Sequence, residues 1–564
     1  MQVDGSTTTS WFHRNAICGL ALALCILPFC VSAVPPMTDV SQHVLVARVV
    51  AAYDDPALEF DEHFAIDWSI APGVLFYVLL SSLQRLVGPY REVQVLLTGW
   101  VVATFLSVLW FARVLGQRDP WIPALVVLPL TFCWYVYMGL LPFVMTFPLF
   151  AAAMAVWSGR SGPTAKIPAV WVLLVLSFGF HVVGAAATAA AIVVVAIVQA
   201  VVAKNERRVL MEAGLAVLPV PVLVGVYFFG RNSPNTDVVY TNPLANVLDA
   251  VKFTVMTLND VSALLLALWV VGLTSLLLIT WRDLFARLSV LAAAASLVLL
   301  AILMPSDMGA LWPAGPRLIP YALVLACACV PWSRFSRFAV VGGCILVLSG
   351  LCGFTVRHAY SLGSGFAEFL SGIDVIEPGS TILPVLANPG EGSKWVSPYW
   401  SLASAYTVFL GGSNPYVFAA PYVQTGASPL RYLNPERDRR FAFLYGEGKV
   451  PEDYRGVSEL YDYVLVWRGA SALERVLSDE MQVVHRRGGL IVFSGSRSER
   501  ADPDMGRESR SAEGRPFTES SDPVRWRTAG SRPGAPRPGT PPGFAPPGAV
   551  RPRSTPPGAA RSKS

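Results

Sequence analysis

Apolar residues fall in long unbroken blocks, separated by short polar stretches, for the first 356 positions of the chain. Val93 to Leu115 and Val261 to Trp281 are typical. Each is close to the ~20 residues that a helix needs to cross a hydrocarbon layer about 30 Å thick. Similar blocks occur near 14–34, 69–87, 121–139, 141–158, 167–181, 182–203, 209–230, 286–304, 318–332 and 337–356. The pattern predicts a polytopic α-helical membrane protein.

Loop charge sets the expected orientation, because Lys and Arg concentrate on the cytoplasmic side. Arg85 with Arg91, Arg160 with Lys166, Lys204 with Arg207 and Arg208, Arg282 with Arg287, and Arg334 with Arg337 mark five loops as cytoplasmic. The loops Pro35 to Trp68, Arg231 to Asp260 and Pro305 to Pro316 are acidic or neutral and are expected outside. Between the loops at 85–92 and 158–167 the number of crossings must be even, yet three apolar blocks lie there. The block 121–139, broken by Pro120, Pro123 and Pro129, is expected to be the one that fails to cross. About eleven spans remain, with the N-terminus inside and everything after 356 outside. The first block could also be a signal peptide, since Val31-Ser32-Ala33 resembles a cleavage site. An uncleaved first helix is the expectation, because many spans follow it.

Residues 357–495 change character. Thr381 to Leu386, Tyr463 to Trp467, Met481 to His485 and Leu490 to Phe493 read as strands. Phe366 to Val375, Trp400 to Phe409 and Ser471 to Ser478 read as helices. The alternation predicts a small α/β domain outside the membrane. From 496 to 564 the chain is rich in Arg, Pro, Gly and Ser and poor in large apolar residues, which predicts a disordered tail.

Composition agrees with this reading: 54% of the 564 residues are hydrophobic and 14% charged, where a soluble domain carries about 25% charged. The net charge of +5 belongs to the tail, which holds 12 Arg and 1 Lys against 7 acids. Neither the body nor an extracytoplasmic tail therefore points to nucleic acid. All eight Cys lie in apolar blocks without metal or redox spacing, as small hydrophobes do. No GxxxxGK[ST], HExxH or GxSxG occurs, which disfavours an ATP-driven pump and a membrane zinc protease of that type.

The first outer loop holds the most chemistry. Asp39 follows the first span, and His43 stands at i+4 on the same helix face. Val44, Val46, Ala47, Val50 and Ala51 suggest a helix along the membrane surface. A carboxylate there can take a proton from an acceptor hydroxyl at the bilayer edge; it can equally cap the helix it begins. Asp54, Asp55, Asp61, Glu62 and His63 form a second acidic patch, which could bind a divalent cation or simply be solvated.

This loop, with its early Asp39 and His43, the acidic patch and the Pro72-led helix after it, resembles that of the GT-C superfamily of membrane glycosyltransferases. That group includes protein O-mannosyltransferases and bacterial lipid-A sugar transferases. The aromatic-glycine stretch Trp134 to Phe143 and His181 in FGFHVVG fit the same picture. The resemblance implies a polyprenyl-phosphate sugar donor, an acceptor of unknown kind, and Asp39 at the position of the catalytic acidic residue. It also implies a bacterial inner membrane and an active face outside. A cation must then hold the donor phosphate, for which Arg317, at the mouth of a late span, offers a bidentate fork. Lys252 is a second candidate for that role, while Arg317 could instead snorkel. No cofactor beyond a possible divalent cation is expected. Two other classes compete, a transporter or flippase and a non-catalytic envelope assembly protein. Matched hydropathy halves and abundant intramembrane charge, which a transporter would show, are not seen.

Overall fold

The computed structural model describes residues 5–495 apart from 69–70, 204–205, 230–237, 241, 309–312, 387–395, 419–427, 435–450 and 470. The tail 496–564 lies outside the described residues.

Among the described residues, eight helices are long and apolar enough to cross a membrane. The apolar positions lack a polar stripe because lipid, like the core, accepts Leu and Val on every side. Gly5–Cys30 packs Ala21, Cys25 and Phe29 into the bundle core. It runs beside Arg91–Val114 and Arg337–Phe369. The chain is an integral membrane protein.

Arg337–Phe369 has 33 residues, so it is about 50 Å long and outreaches the hydrocarbon. The expected boundary at 356 therefore falls inside a continuous helix, and the separate helix expected at Phe366 to Val375 is its last turn plus a 3₁₀ stretch, Leu370–Val375. This rod carries the C-terminal α/β region. There β2 (Ile382–Leu386) pairs in parallel with β4 (Tyr463–Trp467). β4 pairs antiparallel with β6 (Leu490–Gly495), and β6 with β5 (Met481–Arg487). The two-residue side-chain period divides the sheet. Leu383, Val385, Val464, Val466, Ile491 and Phe493 form one core with Leu473 and Leu477 of the helix Ser471–Ser478. Ile382, Leu386, Leu465, Trp467 and Val492 face the bundle. There the Trp467 ring stacks on Tyr399, 5.4 Å between centroids.

The first loop is tied to this region. β1 (Phe64–Ile66) pairs antiparallel with β3 (Leu430–Tyr432), and Arg431 forms an ion pair with Asp67. Gly412 N donates to Leu58 O at 2.8 Å. A Cβ on Gly411 would sit 2.2 Å from that same carbonyl oxygen, so only glycine fits. Residues 35–68 and the α/β region therefore share one face of the bundle, termed here the loop face.

The segment that fails to cross is not the one expected. Val74–Val87 has 14 residues, about 21 Å of helix, too short for the hydrocarbon. Its C-terminal end returns to the first loop. Arg85 donates from Nε to Ala51 O at 3.2 Å and from Nη2 to Val50 O at 3.3 Å. Tyr90 Oη donates to Ser41 Oγ at 3.0 Å, and Gln94 to Ser32 O at 2.9 Å. The 85–92 turn thus sits on the loop face, where Arg85 satisfies loop carbonyls. Conversely, the proline-broken 121–139 does traverse, as Trp121–Val126, a 3₁₀ turn Leu128–Phe132 and Trp134–Tyr137. At one end Asp119 pairs with Arg337 at 2.9 Å, at the far end of the long helix. At the other, Tyr137 O and Met138 O accept from Thr38 N and Asp39 N on the loop face. Exchanging these two segments removes the parity conflict.

Candidate active site

The site forms where three backbone breaks meet on the loop face. The first lies between the end of Gly5–Cys30 and the helix Val40–Ala51, where Asp39 stands at the N-cap. The second is Gly139, between Trp134–Tyr137 and Leu141–Val144, with φ +86°. The third is His181, between Pro163–Phe180 and Val182–Ala203. Arg317 approaches from the 3₁₀ turn Gly315–Leu318, which leads into Ile319–Cys329.

Gly139 lets the first two breaks touch. A Cβ there would lie 2.8 Å from Asp39 N and 2.9 Å from Asp39 Cβ, and its positive φ already disfavours a side chain. Asp39 N donates to Met138 O at 3.1 Å. The carboxylate makes no capping bond to its own helix, which removes the capping explanation of Asp39. It is half-buried, and desolvation pushes it up to about 7 against the pull of the Arg317 charge.

His43 is buried at 4% exposure. Its Nε2 lies 2.9 Å from Gly139 O, a carbonyl that can only accept, so Nε2 carries the proton. Nδ1 then accepts from Tyr77 Oη at 2.9 Å. With both nitrogens engaged and burial pushing it down to about 4, the ring is neutral and committed. Its geometry suits positioning: it clamps the Gly139 turn against the helix that Asp39 begins.

Arg317 is 4% exposed. Nε donates to Pro313 O at 3.1 Å, Nη1 reaches His181 Nε2 at 2.9 Å, and the guanidinium lies over the Phe143 ring at 5.6 Å. Phe143 also touches the His181 and Tyr135 rings, at 5.5 and 5.2 Å. Asp39, Tyr135 and Tyr321 all lie within charge range of Arg317. The structure thus brings Asp39, His43, His181 and Arg317 into one neighbourhood. Lys252 stands at its margin, its ammonium 5.3 Å over Phe253, which packs on Trp134 at 4.6 Å.

Asp61, Glu62 and His63 are elsewhere. They occupy a single helical turn, Phe60–His63, where successive side chains diverge by about 100°. Asp61 and Glu62 are exposed. Among the described residues no three His, Cys, Asp or Glu side chains gather to hold a metal ion. Sequence reasoning passed over Tyr77, Tyr135 and the Gly139 carbonyl; the signal for the last two was the aromatic-glycine stretch itself. Beside the site, on the bundle flank, Leu79, Leu83, Leu96, Trp100, Pro148 and Phe180 line an apolar groove of about 370 Å³. Phe180 is the residue before His181.

Two solved structures share this architecture. ArnT from Cupriavidus metallidurans in the apo state aligns over 87% of this chain and 99% of its own, with a TM-score of 0.52 and 12% identity. The same protein bound to undecaprenyl phosphate aligns over 86% and 98%, with a TM-score of 0.51 and 11% identity. The chain has a GT-C fold. At this identity the likeness is one of fold, and function has to be argued from the site. No family profile matches the sequence, and no curated protein matches it either. Within the GT-C fold, the three backbone breaks supply what a regular helix cannot, which is side chains and carbonyls aimed into one spot at the membrane edge.

Proposed function

We propose that the protein is a GT-C glycosyltransferase that moves a sugar from a polyprenyl-phosphate donor to an acceptor hydroxyl, with the loop face outside the cytoplasm. The observation that carries this reading is the convergence of Asp39 and Arg317, remote in sequence, within charge range beside the Gly139 turn. Undecaprenyl phosphate bound to ArnT, the neighbour of like fold, supports a lipid-linked donor.

In this mechanism Arg317 holds the donor phosphate while the glycosidic C–O bond breaks and negative charge gathers on the departing phosphate. Asp39 takes the acceptor proton as the acceptor oxygen attacks the anomeric carbon, which inverts it. A base held near 7 is well matched to that transfer, being about half ionised at neutral pH and still basic. His43 and Gly139 position Asp39, and His181 and Pro313 position Arg317. The apolar groove ending at Phe180 receives the isoprenoid chain, so that the phosphate arrives beside His181 and Arg317. A transporter would place such groups along a path near the midplane; here they cluster at helix breaks on one face, which favours transfer at the bilayer edge.

The decisive experiment incubates the purified protein with a polyprenyl-phosphate sugar and follows the release of polyprenyl phosphate. Release by the wild type and at least a ~10²-fold loss in Asp39→Asn support the proposal. Full activity in Asp39→Asn, or no release by the wild type with any lipid-linked sugar and acceptor supplied, overturns it.

A further inference from the structure

The two tyrosines beside Arg317 are not equivalent. Tyr321 is fully buried, and its hydroxyl is engaged by Thr146 Oγ1 at 2.5 Å. Tyr135 is also fully buried, yet among the described residues its hydroxyl has no hydrogen-bond partner. A buried hydroxyl left in this state costs about 1–3 kcal/mol, so native structures rarely keep one without use.

Its surroundings say what it would bind. The Tyr135 ring packs on Phe143, 5.2 Å between centroids, and the Arg317 guanidinium covers the same ring at 5.6 Å. Tyr135, Tyr321 and Asp39 are the ionisable groups that face the Arg317 guanidinium. Its position is fixed from behind: Leu140 N donates to Tyr135 O at 3.0 Å across the Gly139 turn, and Trp134 crosses its ring at 5.5 Å. A rigid O–H donor beside a cation is a pairing for an anionic oxygen.

We infer that Tyr135 is a second donor to the donor lipid's phosphate, binding one phosphate oxygen through its hydroxyl while Arg317 holds the group's charge. This rests on the transferase reading above and adds to it a residue whose role is to bind and orient phosphate. The hydroxyl stays protonated throughout; it donates a hydrogen bond that strengthens as charge collects on the leaving phosphate, and no bond to it forms or breaks.

Tyr135→Phe keeps the ring and removes only the oxygen, which makes the test clean. Undecaprenyl phosphate and undecaprenol, the same chain without phosphate, are titrated into detergent-solubilised wild type and variant while the thermal midpoint is followed. The expected result has three parts. The ligand-free variant melts at or above the wild-type temperature, because an unpartnered buried hydroxyl has been removed. Its affinity for undecaprenyl phosphate falls about 10-fold, the loss of one charge-assisted hydrogen bond. Any response to undecaprenol is the same in both proteins. Equal affinity of variant and wild type for undecaprenyl phosphate overturns the role of Tyr135 and leaves the transferase reading standing. A lower ligand-free melting temperature with unchanged affinity also overturns it, showing a structural hydroxyl instead. A wild type that responds alike to phosphate and alcohol overturns both.

Discussion

The two ends of the helix bundle handle charge in opposite ways. At the end remote from the first loop, arginines meet acids in half-exposed ion pairs. Arg334 pairs with Asp283 at 2.5 Å, Arg337 with Asp119 at 2.9 Å and Arg208 with Glu212 at 2.9 Å, with the arginine side chains 61%, 54% and 64% exposed. At the loop face Arg317 is 4% exposed, donates to a carbonyl and an imidazole, and shares its surroundings with a half-buried carboxylate. Half-exposed pairs cost little and contribute little. Burying a cation costs far more, and a protein that bears this cost gains a field that water does not screen. The difference teaches that arginines stay half-exposed in ion pairs at one end and are drawn into a buried site at the other, and that charge counts alone do not separate the two.

The largest expected effect falls on Asp39. Asp39→Asn keeps the shape of the side chain and removes the base, so turnover drops ~10²-fold or more while binding of the lipid donor is retained. Its stability should move the other way. An unfolded Asp titrates near 4 and the folded one near 7. Between those values the folded state holds a proton that the unfolded state has lost. Wild-type stability therefore declines as pH rises through that window, and above it the full cost of the buried charge is present. At pH 8 Asp39→Asn should melt no lower than wild type; a lower midpoint would show that the carboxylate is stabilising and structural.

The pH profile sharpens the same point. Wild-type turnover should climb as pH rises toward about 7 and level off above it, as a single base is freed. Asp39→Asn should show a low, flat profile over the same range. An unchanged acid limb in the variant would move the base elsewhere.

Gly139→Ala comes next. The added methyl meets Asp39 N at 2.8 Å, at a φ of +86° that alanine resists. We expect about 1–3 kcal/mol of lost stability, together with a rise in KM or a fall in kcat as Asp39 is displaced. Wild-type kinetics in this variant would separate the turn from the site.

Arg317→Lys and Arg337→Ala compare the two ends directly. The first keeps charge but loses the planar fork, so donor affinity should fall about 10-fold. The second removes one half-exposed pair at the opposite end, for about 0.5 kcal/mol and no change in turnover. Equal effects would erase the distinction between the ends. Topology offers the smallest perturbation. Cysteine placed at Gly88 should react with an impermeant thiol reagent together with cysteine at Asp61, and cysteine at Arg160 should not. Labelling of Gly88 with the Arg160 group would restore Val74–Val87 as a span.

The aromatic-glycine stretch and the early Asp were legible because they break a hydrophobic pattern, and such breaks are rare in lipid. The role of His43 was less legible. Its i+4 spacing from Asp39 suggested a partner on one helix face, whereas its ring reaches Gly139 and Tyr77 on other elements. The stretch that holds Tyr135 was legible, but its unsatisfied hydroxyl was not, since that is defined by what surrounds it. Arg85 misled for a related reason: a side-chain count cannot tell a cytoplasmic arginine from one that satisfies loop carbonyls.

The sequence by itself determined what depends on composition and period. These are a lipid-solvated bundle, the strands β2, β4, β5 and β6 to within a residue or two, the helix Ser471–Ser478, and the places where helices must break. Each follows from local rules, since hydropathy and backbone preference act within about twenty residues. The tertiary structure decided which short helix stays out of the hydrocarbon, which strand closes on the first loop, and that Asp39, Tyr135, His181 and Arg317 meet. Those outcomes rest on contacts between residues distant in the chain. Helix length measured against the bilayer, and the shape of a buried pocket, come into being only once the elements have packed.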